Sequence, residues 1–383
     1  MKKILHISKY YYPFLGGIEQ VARDVVNALK SPETEQKVIC FNEDASDGEM
    51  VCHRDETTKD IVDEVQIIRC GYNVKISSQA VSASYGKELR QVMDSYKPDI
   101  VILHYPNPFV SHLLLKYKKR SFKLIVYWHL DITKQKILGK LFHRQNLALL
   151  KRAEKVIATS PNYIEGSPYL NRYREKCVVI PNCINLDKLT VTEKSRELCD
   201  TIRHKYSDRT ICFSVGRHVP YKGYSYLIKA AKLLDNRFIF CIGGSGPLTN
   251  QLKKEAAGCE NIEFLGRISD EELVAYCLAC DIFCFPSITK NEAFGIALAE
   301  GMYFGKPAVT FTIPGSGVNY VNLDRVTGIE CPNGDSRAYA EALERLASEP
   351  QLRISYGQKG QERVMERFSH LEFQKHTKNC MDS

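Results

Sequence analysis

The sequence predicts an α/β protein made of two doubly wound domains, each built on a mostly parallel sheet. Three observations carry that prediction. Short apolar runs alternate with amphipathic helical stretches from one end of the chain to the other, as repeated βα units require. The alternation falls into two series, joined near Pro181 to Lys205. Backbone-rich turns stand at helix entrances after predicted strands, at Gly16-Gly17, after Val215, and at Gly243-Gly244-Ser245-Gly246. A chain of 383 residues also suits two domains, each burying a core of ordinary size.

Ile4 to Ile7 is the first strand. It follows Met1-Lys2-Lys3 as the apolar part of a secretory leader would, but the run ends at Lys9 and Tyr10, too soon for that role. A helix from Gly17 to Leu29 comes next, then strands at Val38 to Phe41, Ile100 to Leu103, Leu124 to Trp128, Val156 to Thr159 and Val178 to Ile180. The second series runs from the strand Ile211 to Val215 through a helix at Ser225 to Leu234, a strand at Phe238 to Ile242 and a helix at Pro247 to Ala257. It continues with a strand at Ile262 to Phe264, a helix at Asp270 to Leu278 and a strand at Ile282 to Phe285. We expect residues 1–190 to form the N-terminal domain, 191–360 the C-terminal domain, and 361–383 a terminal helix packing back on the first; Gln351 to Phe373 reads as one or two helices.

Fourteen cysteines point to a reducing, cytoplasmic setting, because their number is unexplained by a disulfide framework. Cys277-Leu-Ala-Cys280 lacks the companion ligands of a zinc or redox site and reads as core filler. No stretch approaches the ~18 apolar residues of a spanning helix. Membrane attachment, if any, is then peripheral, on the inner face. The candidate is the basic run Lys116, Lys118, Lys119, Arg120 and Lys123, followed by Lys134, Lys136, Lys140, Arg144, Lys151 and Arg152, with Asp131 the only acid between Lys116 and Arg152. Ile137, Leu138, Leu141 and Phe142 interleave with the second group, as in a basic amphipathic helix on an anionic membrane surface; an ordinary domain helix with a solvated basic face has the same pattern. No nucleic-acid partner is expected.

The chemistry concentrates in two runs. Glu292 and Glu300 bracket Glu292-Ala-Phe-Gly-Ile-Ala-Leu-Ala-Glu300, after a loop at Pro286-Ser-Ile-Thr-Lys-Asn and on a helix expected from Phe294 to Tyr303. A helix opening at Gly295 offers unpaired backbone N–H groups and the positive end of its dipole, which suit an anion such as a nucleotide phosphate. Glu300 lies between Leu298 and Met302 in a segment apolar nearly all round, so it should be buried and should need a partner. Upstream, Gly216-Arg-His-Val-Pro-Tyr-Lys222-Gly223 supplies two cations: Arg217 suits bidentate phosphate contact, and Lys222 a point charge. In doubly wound folds ligands sit beyond the carboxyl ends of the strands, where all these groups fall. Gly16 and Gly17, lacking a Cβ, would allow close approach of a phosphate. His129, in Val126-Tyr-Trp-His-Leu-Asp131 at another strand end, is a core histidine or one that faces a cleft and bonds a sugar hydroxyl, with Asp131 fixing its tautomer.

Taken together, the Gly16-Gly17 loop, Gly216-Arg217 with Lys222-Gly223, Gly243-Gly-Ser-Gly-Pro247, Phe264-Leu-Gly-Arg267, Phe285-Pro-Ser and Glu292-Ala-Phe-Gly to Glu300 resemble the family 4 retaining glycosyltransferases of the GT-B fold, in which two Rossmann-like domains face each other across a cleft. The resemblance covers nearly the whole chain. Thr159-Ser-Pro-Asn-Tyr163, Ser167-Pro168 and Lys176-Cys-Val-Val-Ile-Pro-Asn182 look like the bacterial surface-polysaccharide branch, where mannosyl- and rhamnosyltransferases are common. It implies an acceptor-binding N-terminal domain, a nucleotide-sugar-binding C-terminal domain, and transfer of a hexose, mannose from GDP-mannose first, to a saccharide or lipid-linked acceptor. By the same resemblance, Arg217 and Lys222 would neutralise the donor diphosphate, Glu292 would hold sugar hydroxyls and Glu300 the ribose. The backbone of Phe294, Gly295, Ile296 and Ala297 would meet sugar and phosphate, Gly244 would line the donor, Arg267 and Ile268 would border the base, and His129 would sit near the reacting sugar. No cofactor or metal is implied, since no Asp-x-Asp cation site follows a strand. Two departures stand out: Gly301 replaces the alanine usual after the second glutamate, and Gly315-Ser-Gly-Val-Asn-Tyr320 lacks the acid often found in that loop. A nucleotide-sugar epimerase and a non-catalytic nucleotide-sugar-binding protein remain as alternatives.

Overall fold

The computed structural model describes every residue except 15, 45–52, 77, 78, 118, 120, 133–135 and 383, and leaves aside the side chains of 76 and 136–141. Its contacts divide the chain into two units, one of Met1–Thr159, Ser167–Ile180 and Gln374–Ser383, the other of Ser160–Gly166 and Pro181–Phe373.

Among the described residues the first unit contains β1 (Lys2–Ile7), β2 (Thr34–Phe41), β3 (Thr58–Val62), β4 (Val65–Cys70), β5 (Val74–Ile76), β6 (Gln79–Val81), β7 (Ile100–Tyr105), β8 (Lys123–Trp128), β9 (Lys155–Ala158) and β10 (Cys177–Val179). Its main sheet has the order β10-β9-β8-β7-β1-β2-β4-β3, parallel throughout except where β3 pairs with β4. The central strands carry no alternation because both of their faces are covered: every residue of β7 is buried, as are the last four of β1. Each fully buried Leu, Ile or Val there contributes about 1.5–3 kcal/mol. The helix Gly17–Ala28 follows β1. The last ten residues belong to this unit, where Asp382 accepts from Lys2 Nζ at 3.0 Å and the Cys380 carbonyl from Lys155 Nζ at 2.8 Å.

The second unit contains β11 (Thr210–Val215), β12 (Phe238–Gly243), β13 (Ile262–Gly266), β14 (Ile282–Phe285), β15 (Ala308–Phe311) and β16 (Gly328–Cys331), in the all-parallel order β13-β12-β11-β14-β15-β16. The chain winds outward from β11 to β13 and then crosses to β14, so the order reverses between β11 and β14. In the first unit the reversal lies between β1 and β7. Crevices at such points, beyond the carboxyl ends of the strands, are where doubly wound folds hold ligands.

Six strands escaped the sequence pattern. β3 alternates half-buried with exposed residues at a sheet edge, β5 and β6 are three residues each, and β15 and β16 are four residues long with Thr310 and Glu330 interrupting their apolar runs. β4 is interrupted by Gln66 and Arg69. Three helices are shorter than expected, at Tyr224–Ala231, Thr249–Glu255 and Ile296–Tyr303. The last begins at Ile296 because Gly295, with φ of 96°, is its cap and lies outside helical geometry. The C-terminal stretch extends beyond Phe373: two helices span Pro350–Arg367 and His370–Asp382, the second entered through Ser369, whose Oγ accepts from Glu372 N at 3.4 Å.

Candidate functional site

Carboxyl ends of three neighbouring strands are laced together in the second unit. Gly216 N donates to Gly243 O at 3.2 Å and Gly244 N to Gly266 O at 2.6 Å. Gly244 has φ of 106°, and a Cβ there would collide with the Gly216 carbonyl, so only glycine allows the turns after β11 and β12 to approach so closely. Arg217 stands exposed on the first turn and Arg267 on the turn after β13, while Ile268 is half-buried, packed within reach of a Cβ on Gly243.

Across the reversal, the short 3-10 turn Pro220–Lys222 meets the loop after β14. Ile288 N donates to Tyr221 O at 2.9 Å, and Gly223, with φ of 67°, passes so near the Pro286 carbonyl that no side chain fits. This backbone junction brings together the two charges that the sequence separates by seventy positions. Lys222 Nζ lies 2.5 Å from Glu292 Oε2, which also accepts from Ser287 Oγ at 3.1 Å, and the ammonium sits 4.8 Å from the centre of the Phe285 ring. The two side chains are only 13% and 12% exposed. Burial is the largest influence on Lys222 and lowers its pKa, but the charge and hydrogen bond of Glu292 together with Tyr221 and Tyr224 outweigh it, so the net shift is upward and the lysine is held charged.

Glu292 is fixed from behind as well. Ser316 Oγ donates to its carbonyl, and Gly317 N donates to Ala293 O at 3.0 Å. The Gly315 to Tyr320 loop therefore reaches the site through backbone and hydroxyl groups. Beyond Gly295 the helix Ile296–Tyr303 opens with first-turn N–H groups that have no partner within the helix, beside Phe294, which is buried. Glu300, two turns in, is 6% exposed, and its partner is Lys188, with Nζ 3.4 Å from Oε1 and 3.8 Å from Asp270 Oδ1. Gly301 is explained by packing: a Cβ would run into the Phe283 ring. Cys277 and Cys280 are both fully buried, with thiol pKa values pushed up by burial, Cys280 to about 12, as befits core filler.

In the first unit Gly16 caps the helix Gly17–Ala28 with extended backbone, and a Cβ on it would strike the Glu19 carboxylate, whereas one on Gly17 would meet nothing within 4 Å. His129 follows β8. It is 4% exposed, its N–H donates to Tyr105 O at 3.1 Å, and its Nε2 lies 3.0 Å from His104 Nδ1. Asp131 Oδ1 accepts from Trp128 Nε1 at 3.0 Å and from Ser167 Oγ at 2.9 Å. Burial lowers the His129 pKa to about 3, so the ring is neutral.

Sequence reasoning missed Lys188, Ser287, Ser316 and His104. Ser287 stood within a quoted motif and needed only the observation that a hydroxyl five residues before Glu292 can turn back to it. Lys188 and His104 reach their partners only through the fold. The basic amphipathic face lies mostly outside the described residues, since Lys118, Arg120, Lys134 and the side chains of Lys136, Ile137, Leu138, Lys140 and Leu141 are among those left aside. No helix among the described residues is long and apolar enough to cross a membrane.

Comparison with known proteins matches residues 15–188 to the family described as Glycosyltransferase Family 4 and residues 196–363 to that described as Glycosyl transferases group 1. The chain is 32% identical over 370 residues to O-antigen chain mannosyltransferase C of Escherichia coli, covering 96% of this chain and 94% of that protein. It is 31% identical over 377 residues to D-rhamnosyltransferase WbpZ of Pseudomonas aeruginosa, covering 96% and 92%. Among solved structures, sucrose-phosphate synthase from Thermosynechococcus elongatus aligns with a TM-score of 0.79 at 19% identity, over 100% of this chain and 98% of that one. Anabaena Alr3699/HepE, solved with UDP and glucose, aligns with a TM-score of 0.77 at 16% identity over 100% of both chains. At such identities the structural likeness speaks for the fold alone.

Proposed function

The chain belongs to the family 4 glycosyltransferases of the GT-B fold, and from that premise we propose that it moves a hexose from a nucleoside-diphosphate sugar to a saccharide or lipid-linked saccharide acceptor in surface-polysaccharide synthesis, with GDP-mannose as the first choice of donor. The observation that carries the reading is the largely covered Lys222–Glu292 pair, set at the reversal of strand order and immediately before the opening of the helix that bears Glu300. The choice of mannose draws on the name of the E. coli relative; that of the P. aeruginosa relative points to rhamnose instead.

In this reading the second unit holds the donor. Lys222 and Arg217 meet the diphosphate together with the first N–H groups of the helix Ile296–Tyr303, Glu292 takes hydroxyls of the sugar, and Glu300 takes those of the ribose. Gly244 lines the donor, and Arg267 and Ile268 border its base. The first unit binds the acceptor and has His129 beside the reacting sugar, while its Gly16 and Gly17, lacking a Cβ, belong with the donor-binding groups and admit a phosphate. The chemical difficulty is departure of a charged diphosphate from an oxocarbenium-like centre. Preorganised cations and backbone donors aimed at that charge are commonly the largest catalytic contribution. Lys222 is pre-charged by Glu292, so it needs no proton before it acts. Glu292 is engaged by an ammonium and a hydroxyl, a poor state for a nucleophile, which favours a front-face displacement with retention, the leaving phosphate helping to deprotonate the acceptor.

The test is to incubate the pure protein with GDP-, UDP- and dTDP-sugars and follow both nucleotide and sugar. Nucleotide release, fastest from GDP-mannose, is expected. An epimerised sugar without released nucleotide would replace this reading with an epimerase; binding without turnover, both alone and with saccharide acceptors added, would replace it with a binding protein.

A further inference from the structure

Three buried histidines stand on or beside adjacent strands of the first unit: His6 on β1, His104 on β7 and His129 just after β8. β7 and β8 run parallel with His104 opposite Tyr127, and the ring planes of His104, Tyr127 and His129 are nearly parallel. The centroids are 5.5 Å apart at 11° for His104 and Tyr127, 4.6 Å at 12° for Tyr127 and His129, and 5.2 Å at 13° for the two histidines.

Between two neutral imidazoles the 3.0 Å bond from His104 Nδ1 to His129 Nε2 can run in either direction. If His129 donated, the His104 proton would sit on its own Nε2, a buried atom with no partner among the described residues. A buried donor left unpaired forfeits its hydration with nothing in return, and orphaned N–H groups are rarer than orphaned acceptors. If His104 donates, the unpaired atom is only a lone pair. His6 shows the same choice where its direction is fixed independently. The Gln36 amide is oriented by its Nε2 donating to Val26 O at 3.1 Å, so its Oε1, 2.8 Å from His6 Nε2, must accept. The His6 proton is therefore on Nε2, and the unpartnered nitrogen is the unprotonated Nδ1.

We propose that His104 is a positioning residue that donates from Nδ1 to His129 Nε2 and so holds His129 as the Nδ1–H tautomer, a neutral hydrogen-bond donor and not a base at Nε2. The consequence for turnover rests on the reading above, in which His129 meets the sugar; the tautomer itself does not. An imidazole fixed in this way offers a proton to an oxygen of the substrate without having to be charged first, and its second nitrogen is already occupied.

The experiment is nitrogen-15 NMR of histidine-labelled full-length protein, which distinguishes protonated from unprotonated ring nitrogens, with GDP-mannose turnover measured on the same samples. Wild type should show His129 protonated at Nδ1. His104→Asn, whose amide N–H can replace the imidazole donor, should keep that tautomer and keep kcat within about threefold. His104→Phe should lose it and lower kcat about ten- to a hundredfold, part of what removing a preorganised donor outright would cost, with donor KM little changed. Protonation at Nε2 in the wild type overturns the proposal even if neither variant folds, as does an unchanged tautomer in His104→Phe. A changed tautomer with unchanged kcat upholds the role of His104 and instead removes His129 from the sugar. Wild-type protein inert toward every nucleotide sugar would sink the functional reading, and the tautomer measurement would still decide this one.

Discussion

Both units wind about a reversal in strand order, β1 against β7 in one and β11 against β14 in the other, yet they solve the problem of burying polar groups in opposite ways. The second unit pairs full charges. Lys222 faces Glu292 at 2.5 Å and Lys188 faces Glu300 at 3.4 Å. The first unit removes charge altogether, with His129 and His104 bonded to each other and both rings neutral. The difference lies in what stands nearby. A carboxylate within hydrogen-bond distance offsets desolvation and keeps the ammonium ionised, whereas an imidazole whose partner is another neutral imidazole has no opposite charge to offset the loss of hydration. A shared winding fixes where a site lies; the side chains at the strand ends decide whether it is electrostatic or neutral.

The contrast can be broken most forcefully at Lys222. Lys222→Ala should slow turnover by roughly 10²–10³-fold, as removal of a preorganised charge-stabilising group does, and circular dichroism should show a folded protein. Turnover within a few-fold of wild type would strip the pair of its role. Next come the two glutamates. Glu300→Ala should weaken both free nucleoside diphosphate and donor by about tenfold or more, since hydrogen bonds to a charged group contribute about 1.5–3 kcal/mol, while Glu292→Ala should spare the free nucleotide. Calorimetry giving equal losses in both variants would contradict the assignment.

Acid should find the neutral unit first. An unfolded histidine titrates near 6.5, but His129 and His6 are depressed to about 3 and about 4 by burial, His6 despite its bond to Gln36. Between those values the unfolded chain binds the extra protons, so stability falls as pH drops below about 6.5, by up to about 1.4 kcal/mol per pH unit for each ring. The raised Lys222 has the opposite sign: its contribution is complete below the ordinary lysine pKa and is lost only as pH rises through its own, higher value. Thermal melts from pH 7.5 to 4.5 should show a steady fall in Tm that is shallower in His104→Asn. A flat profile over that range would detach these rings from acid sensitivity. The smallest effect is expected at Lys188, which is 36% exposed and therefore screened. Lys188→Met should weaken a ribonucleoside diphosphate by about threefold to fivefold, in keeping with at most about 1 kcal/mol for an exposed pair, and should matter less for a 2′,3′-dideoxy analogue. Equal weakening of both would mean that the lysine does not act through Glu300.

What could be read from the sequence follows the same division. Lys222, Glu292 and Glu300 were visible because each stands within a few residues of a glycine turn whose meaning is local, and because the helix around Glu300 is apolar enough to make a lone carboxylate conspicuous. The partner that burial demanded could not be named, since Lys188 lies far from Glu300 in sequence and meets it only when the chain folds. His129 could be placed at a strand end, but its partner required the register of β7 on β8, which no periodicity contains. The central strands were legible as continuous apolar runs; β15 and β16 were not, because four residues with one polar interruption are too few to set a period.

The Gly301–Phe283 packing has a bearing on how this helix can change over time. Alanine would suit a helix interior better by about 1 kcal/mol, yet at this position the added methyl group collides with the Phe283 ring in the core. Neither single step is attractive: alanine alone meets a wall, and a smaller residue at 283 alone leaves a void. The two positions form a ratchet, in which the order of substitutions matters and a lineage that has acquired the phenylalanine is held to glycine until the ring is given up first.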